Sequence, residues 1–198
     1  FASLKSSRAA CLRPLSIAAA ASSLGRLGPV ASLAASRVTT PRMVHTEAKI
    51  EELGFTLPEM PKPLASYTPV VQTGNLVFLS GHVPFKEDMK TLHVGKVGIE
   101  YTTEQANKLA EWIGLELVST LRGHVGDLDK VKRIVKLVGF VNCPDSYTQQ
   151  PEVINGCSDL LGKIFGPERG THARSAVGTN SLPRNVPVEI ELIAEIES

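Results

Sequence analysis

The stretch 186–196, VPVEIELIAEI, constrains the fold more than any other part of this 198-residue chain. Strand side chains switch faces at every step, so Ile190, Leu192, Ala194 and Ile196 share one face while Glu189, Glu191, Ile193 and Glu195 share the other. One face is therefore core and the other carries acid. Upstream, 174–179 (RSAVGT) reads as a second short strand, and the Asn, Ser and Pro of 180–185 (NSLPRN) have turn chemistry. This order predicts a hairpin that brings Arg174 towards the glutamate face.

The preceding chain supplies what covers the apolar face. Residues 47–54 (EAKIEELG) read as a short helix ended by its glycine, and the prolines of 57–64 forbid more than an extended run. Residues 67–72 and 76–80 are rich in β-branched and apolar side chains and flank Thr-Gly-Asn, a hairpin turn, with Gly81 marking a bulge or a close backbone approach. Residues 85–98 are polar and loop-like. Thr102 with Gln105 three residues on forms a capping box for a helix whose stripe is Ala106, Leu109, Ala110, Ile113, Leu117 and Leu121, with Gly123 as its stop. Residues 130–142 read as a strand. Pro151 opens a second helix, striped by Val153, Ile154, Cys157, Leu160, Leu161 and Ile164 and closed at Gly166-Pro167.

Two strands, helix, strand, helix and two strands make an α+β domain with both helices on one sheet face. The other face, with Glu189 and Glu191 beside Ile193, is too mixed for a core or an ordinary surface, so burial against other subunits is expected.

All 20 acidic residues follow Arg42, whereas six of the 21 basic residues lie at or before it. The remaining fifteen basic residues leave the body at a net charge of −5. Residues 1–42, rich in Ala, Ser and Arg, have the composition of an organelle transit peptide, with the mitochondrion the expected destination and a plastid the alternative. Met43 could also start a leaderless cytosolic form. The expected organisation is thus a leader at 1–42, an arm at 43–65 and a domain at 66–198. No apolar run approaches the ~20 residues that span a bilayer, so no membrane partner is expected.

P-loop, GxGxxG, HExxH and GxSxG patterns are absent from the sequence. Cys11, Cys143 and Cys157 form no CxxC pair, and Cys143 and Cys157 read as small buried hydrophobes. His45, His82, His93, His124 and His172 are scattered, so no metal or cofactor is expected. His172 stands out only because it lies two residues before Arg174.

ARSAVG followed by LPRNVPVEIELIAEI resembles the C-terminal signature of the reactive intermediate deaminase (RidA, formerly YjgF) family, and GNLVFLSGHVP at 74–84 resembles its early strand with a Ser-Gly step. The resemblance spans about 66–196. It implies a chorismate-mutase-like sheet of about six strands with two helices on one face, and a homotrimer whose sites lie between subunits. It implies hydrolysis of 2-imino acids such as 2-iminopropanoate and 2-iminobutanoate to 2-oxo acids and ammonia. Arg174 matches the family's arginine that binds the substrate carboxylate, and Glu189 its acidic residue. Tyr67, Ser80 and Asn155 match substrate-contacting positions. Where many members carry a cysteine two residues after the arginine, this chain has Ala176, and Gly178 replaces a larger residue.

The chemistry asked of these residues is modest, since an imine reacts with water unaided and needs mainly positioning and charge stabilisation. A guanidinium fork suits a carboxylate, and a carboxylate suits the water that attacks C=N. The alternative function is a non-catalytic metabolite sensor or protein-binding module in the same cleft. RNA cleavage, also attached to this family, fits poorly with a body at −5 that has no basic stripe, so no nucleic-acid partner is expected.

Overall fold

The computed structural model describes residues 45–59 and 66–197. The expected leader at 1–42 and the middle of the arm lie outside these residues. The elements are α1 (Thr46–Glu52), β1 (Val70–Thr73), β2 (Leu76–His82), α2 (Thr103–Val125), β3 (Val131–Asn142), α3 (Gln150–Gly170), β4 (Ala173–Thr179) and β5 (Val188–Ile196). Five strands form one mixed sheet in the order β1-β2-β5-β3-β4, one fewer than the family resemblance implies and the number the residue pattern gives.

The hairpin of β1 and β2 pairs Thr73 with Leu76 around Gly74, whose positive φ of 57° suits glycine. The capping box at the start of α2 is present: Gln105 N donates to Thr102 Oγ1 at 3.2 Å, and Thr102 N donates to Gln105 Oε1 at 2.9 Å. The helix passes Gly123 and stops at Gly126, because Val125 is still buried in the core and Gly126 takes the left-handed turn, donating to Arg122 O. Similarly α3 breaks at Gly166 but resumes for a turn, held where Arg169 stacks on Phe165 and donates to Thr46 Oγ1 of α1.

Both helices pack on the same sheet face. Ile113, Leu117 and Leu121 of α2 and Ile154, Leu160 and Leu161 of α3 are fully buried, together with Ile134 and Leu137 of β3 and Ile190 and Ala194 of β5. Burying each such large side chain contributes ~1.5–3 kcal/mol, which makes this layer the main source of stability. The described part of the arm joins it, since Ile50 is buried and Thr46 N donates to Asp129 Oδ1 at 2.9 Å.

The expected hairpin between 174–179 and 186–196 is not formed. β4 leaves α3 and runs parallel to β3 at the sheet edge, whereas β5 crosses over and inserts antiparallel between β2 and β3. The cause lies in 180–185, which is a crossing and not a tight turn. Asn142, wholly buried at the end of β3, donates from Nδ2 to Asn185 Oδ1 at 3.0 Å and to Val186 O at 3.1 Å. These bonds draw the chain over the strand end, where Arg184 and Asn185 take positive φ values (56° and 54°), uncommon for an arginine and accessible to an asparagine.

The face away from the helices carries Val71 (54% exposed), Phe78 (38%) and Val177 (44%) beside Lys136, Glu191 and Ile193. Nothing among the described residues covers it.

Candidate functional site

The sequence-predicted site residues fall into two groups on opposite faces of the sheet. Arg174 pairs with Leu137, which pairs in turn with buried Leu192, so Arg174 and Ala176 lie on the helix-covered side at the β4 edge. Glu189 pairs with Phe140, whose other neighbour is exposed Val177, so Glu189 lies on the uncovered side. The structure therefore does not bring Arg174 to Glu189 within one chain. Arg174 also belongs to the helix-facing edge, where sequence reasoning had placed it opposite the glutamates.

The first group surrounds a cavity of about 460 Å³ lined by Tyr67, Ser80, Gly81, Arg184, Glu189 and Glu191, among others. It is built on the β2 bulge, where pairing with β5 slips between Leu79 and His82. Ser80 N donates to Pro69 O at 3.0 Å and Ser80 Oγ donates to Thr68 O at 2.8 Å, so the serine's proton holds the segment that carries Tyr67. Among the described residues its lone pairs remain free to accept. On the opposite side, buried His82 pins the bulge: Nδ1–H donates to the Ser80 carbonyl at 2.7 Å, which leaves Nε2 to accept from Thr120 Oγ1 at 2.8 Å. Burial lowers the pKa of His82 and keeps this ring neutral.

Glu189 lies directly over Gly81. A Cβ at position 81 would overlap Glu189 Oε1 and crowd Cδ at 2.9 Å, so the close approach expected there is one of a carboxylate to bare backbone. Burial raises the pKa of Glu189 above its ordinary value, and the neighbouring charge of Glu191 adds to the shift. A carboxylate so perturbed is a stronger base than a solvated one.

In the second group, Arg174 Nη1 donates to Asn155 Oδ1 at 2.7 Å and to Ser158 Oγ at 3.1 Å. Both hydrogens of that nitrogen are thus spent on α3. Nε and Nη2 have no partner among the described residues, and together they form the side-on edge of the guanidinium that can grip a carboxylate at two points. Asn155 is accordingly a support for the arginine. Ala176 is half-buried and packs against the helix layer. Gly178 makes room for Gln150, since a Cβ there would lie 2.8 Å from Gln150 Nε2 and 3.1 Å from Cys143 Sγ.

Neither buried cysteine offers a nucleophile to this edge: Cys143 is in the core, and burial pushes the thiol of Cys157 up to about 12. Sequence reasoning missed Ser158, His82, Asn142 and Arg184. Their roles depend on which backbone stands opposite them, which single-residue patterns do not carry. Among the described residues no helix is long and apolar enough to cross a membrane.

Residues 47–196 match a family described as "YjgF/chorismate_mutase-like, putative endoribonuclease". Protein TCP17 of Trypanosoma cruzi is 38% identical over 151 residues, covering 76% of this chain and 94% of that protein. A 2-iminobutanoate/2-iminopropanoate deaminase of Dermatophagoides farinae is 27% identical over 143 residues, covering 72% of this chain and 95% of the relative. The crystal structure of protein Atu1372 from Agrobacterium tumefaciens superposes with a TM-score of 0.70 at 38% identity, covering 77% of this chain and 92% of that one.

Proposed function

Because the chain belongs to the YjgF/chorismate mutase-like family, the family of the RidA proteins, we propose that it hydrolyses 2-imino acids to 2-oxo acids and ammonia. The observation that carries this reading is Glu189, a half-buried carboxylate with a raised pKa, laid over the Ser80–Gly81 bulge in a cavity that also holds Tyr67. Arg174 enters from a second copy of the chain. The two half-sites of one chain face apart, and the uncovered apolar face that adjoins the Glu189 cavity gives subunits a reason to associate. The proposed assembly is a homotrimer with sites between subunits.

In such a site the Nε and Nη2 edge of Arg174 takes the substrate carboxylate, which places the C=N carbon over the bulge. Water attacks that carbon while Glu189 accepts one of its protons, and the imine nitrogen gains a proton. The resulting carbinolamine loses ammonia as its hydroxyl proton leaves, so the imine and one water give the 2-oxo acid and one ammonia. No residue forms a covalent bond, and the step needs only positioning and proton transfer.

The endoribonuclease in the family's description finds less support, because the body after Arg42 carries −5 and nucleic-acid affinity rests on neutralising phosphates. Import into an organelle, with the mitochondrion ahead of a plastid, rests on the composition of residues 1–42. The deciding experiment is ammonia release from 2-iminobutanoate or 2-iminopropanoate formed in situ by an amino-acid oxidase. A rate above buffer supports the reading, whereas a rate equal to buffer, with the metabolite still bound, would favour a sensor.

A further inference from the structure

Behind Arg174 lies a chain of hydrogen bonds that the proposed reaction leaves unused. Ser158 Oγ, which accepts from Arg174 Nη1 at 3.1 Å, also lies 3.1 Å from His172 Nε2. His172 Nδ1 lies 2.7 Å from the carbonyl oxygen of Gly170. A carbonyl can only accept, so Nδ1 carries the proton and the Nε2 of a neutral ring is left with a lone pair. The Ser158 hydroxyl must then donate to Nε2, and its oxygen is turned towards Arg174. With the ring neutral, every proton in the series has a single place, from Arg174 through Ser158 to His172 and the end of α3.

We propose that His172 is a positioning residue for Arg174: by accepting the Ser158 proton it fixes that hydroxyl as an acceptor, and so aims the guanidinium edge that binds the substrate carboxylate. A free serine rotor would as readily point its hydrogen at the arginine, and Nη1 would lose one of its two anchors. Asn155 alone would leave the guanidinium free to swing about a single bond. His172 stands two residues before the arginine, in the link between α3 and β4. Its positioning role rests on the proposed role of Arg174, and the test below separates the two.

In the full-length assembly, side-chain nitrogen NMR should show His172 as the Nδ1–H tautomer near neutral pH, and Ser158→Ala should shift its Nε2 resonance. His172→Ala should raise KM for 2-iminobutanoate, and Kd for the product 2-oxobutanoate by calorimetry, about tenfold, the loss of one hydrogen bond to a charged group, with kcat within about twofold. His172→Gln, which keeps an acceptor near Nε2, should recover most of that loss. Ser158→Ala should match His172→Ala, and the double variant should be no worse than either. An Nε2–H tautomer, or His172→Ala with wild-type Kd, overturns the proposal, as do additive losses in the double variant. Were wild type to bind 2-oxobutanoate without hydrolysing the imine, the proposed reaction would fall while the tautomer and Kd measurements still decided the role of His172. Were it not to bind 2-oxobutanoate, the role of Arg174 and this proposal would fall together.

Discussion

Gly81→Ala tests the catalytic geometry without removing any reacting group. The backbone at 81 lies outside the left-handed region, so alanine adds no backbone strain, and the atoms nearest the added methyl all belong to the Glu189 side chain. Its Cβ would lie 2.9 Å from Glu189 Cδ and 3.0 Å from Cγ, against about 3.5–4.0 Å for an ordinary carbon contact. The overlap with Oε1 is deeper still, so the carboxylate must withdraw by about 1 Å or more. A displacement of that size at a positioned base costs on the order of 30- to 100-fold in rate, or about 2–2.7 kcal/mol of barrier. The assay is steady-state ammonia release from 2-iminobutanoate, with light scattering to confirm assembly. We expect kcat to carry the loss and KM to change little, because water positioning matters most in the transition state. Combining Gly81→Ala with Glu189→Gln should add nothing further. A Gly81→Ala enzyme within threefold of wild type would mean that the carboxylate does not act from where it lies.

Arg174→Lys should fail nearly as badly as Arg174→Ala, with kcat/KM down by roughly 30- to 1,000-fold, because an ammonium cannot offer the two-point edge that Nε and Nη2 present; recovery by lysine to within threefold would count against a bidentate contact. Glu189 must be ionised to accept a proton, so kcat/KM should fall as pH drops through its raised pKa, giving an acid limb above the ordinary 4.5. Glu191→Gln, by removing the charge that helps raise that pKa, should move the limb to lower pH, and an unmoved limb would assign it to another group. Glu116 is buried in α2, where desolvation pushes its carboxyl up to about 8, and its Oε1 accepts from Phe85 N at 3.2 Å. Folding thus favours its protonated form, and the stability this gives is full below about 4.5 and is lost as pH rises towards and through 8. Glu116→Gln should therefore lessen the fall in melting temperature between pH 5 and pH 8 by several degrees, and an unchanged slope would mean that Glu116 ionises freely.

Much of the fold could be read because its periodicities are local. The 3.6-residue stripes of α2 and α3, the capping box at Thr102 and the period-2 alternation of β5 each lie in one stretch of chain, and all three are present. The pairing of β4 with β3 is hidden, because adjacency in sequence says nothing of which strand a crossover lets in. β3 runs inside the sheet between β5 and β4, and buried Asn142 routes the chain across its end. Tyr67, Ser80 and Glu189 could be named from their motif blocks, and they do line one cavity. The separation of Arg174 from them by strand register was hidden, since a motif records which residues occur and not which face each takes. The Ser158–His172 pair joins a helix to a strand end and leaves no periodic trace.

In the proposed assembly one chain carries two half-sites that are completed only between copies, with Arg174 in one and Glu189 in the other. Co-expression of Arg174→Ala and Glu189→Gln chains measures this directly, through the ammonia released from 2-iminobutanoate by the mixed assemblies. Each variant alone should be nearly inactive. In randomly mixed assemblies about one site in four pairs an intact Arg174 with an intact Glu189, so about a quarter of wild-type activity should return. Mixed assemblies that remain as inactive as their parents would mean that Arg174 and Glu189 do not meet between copies.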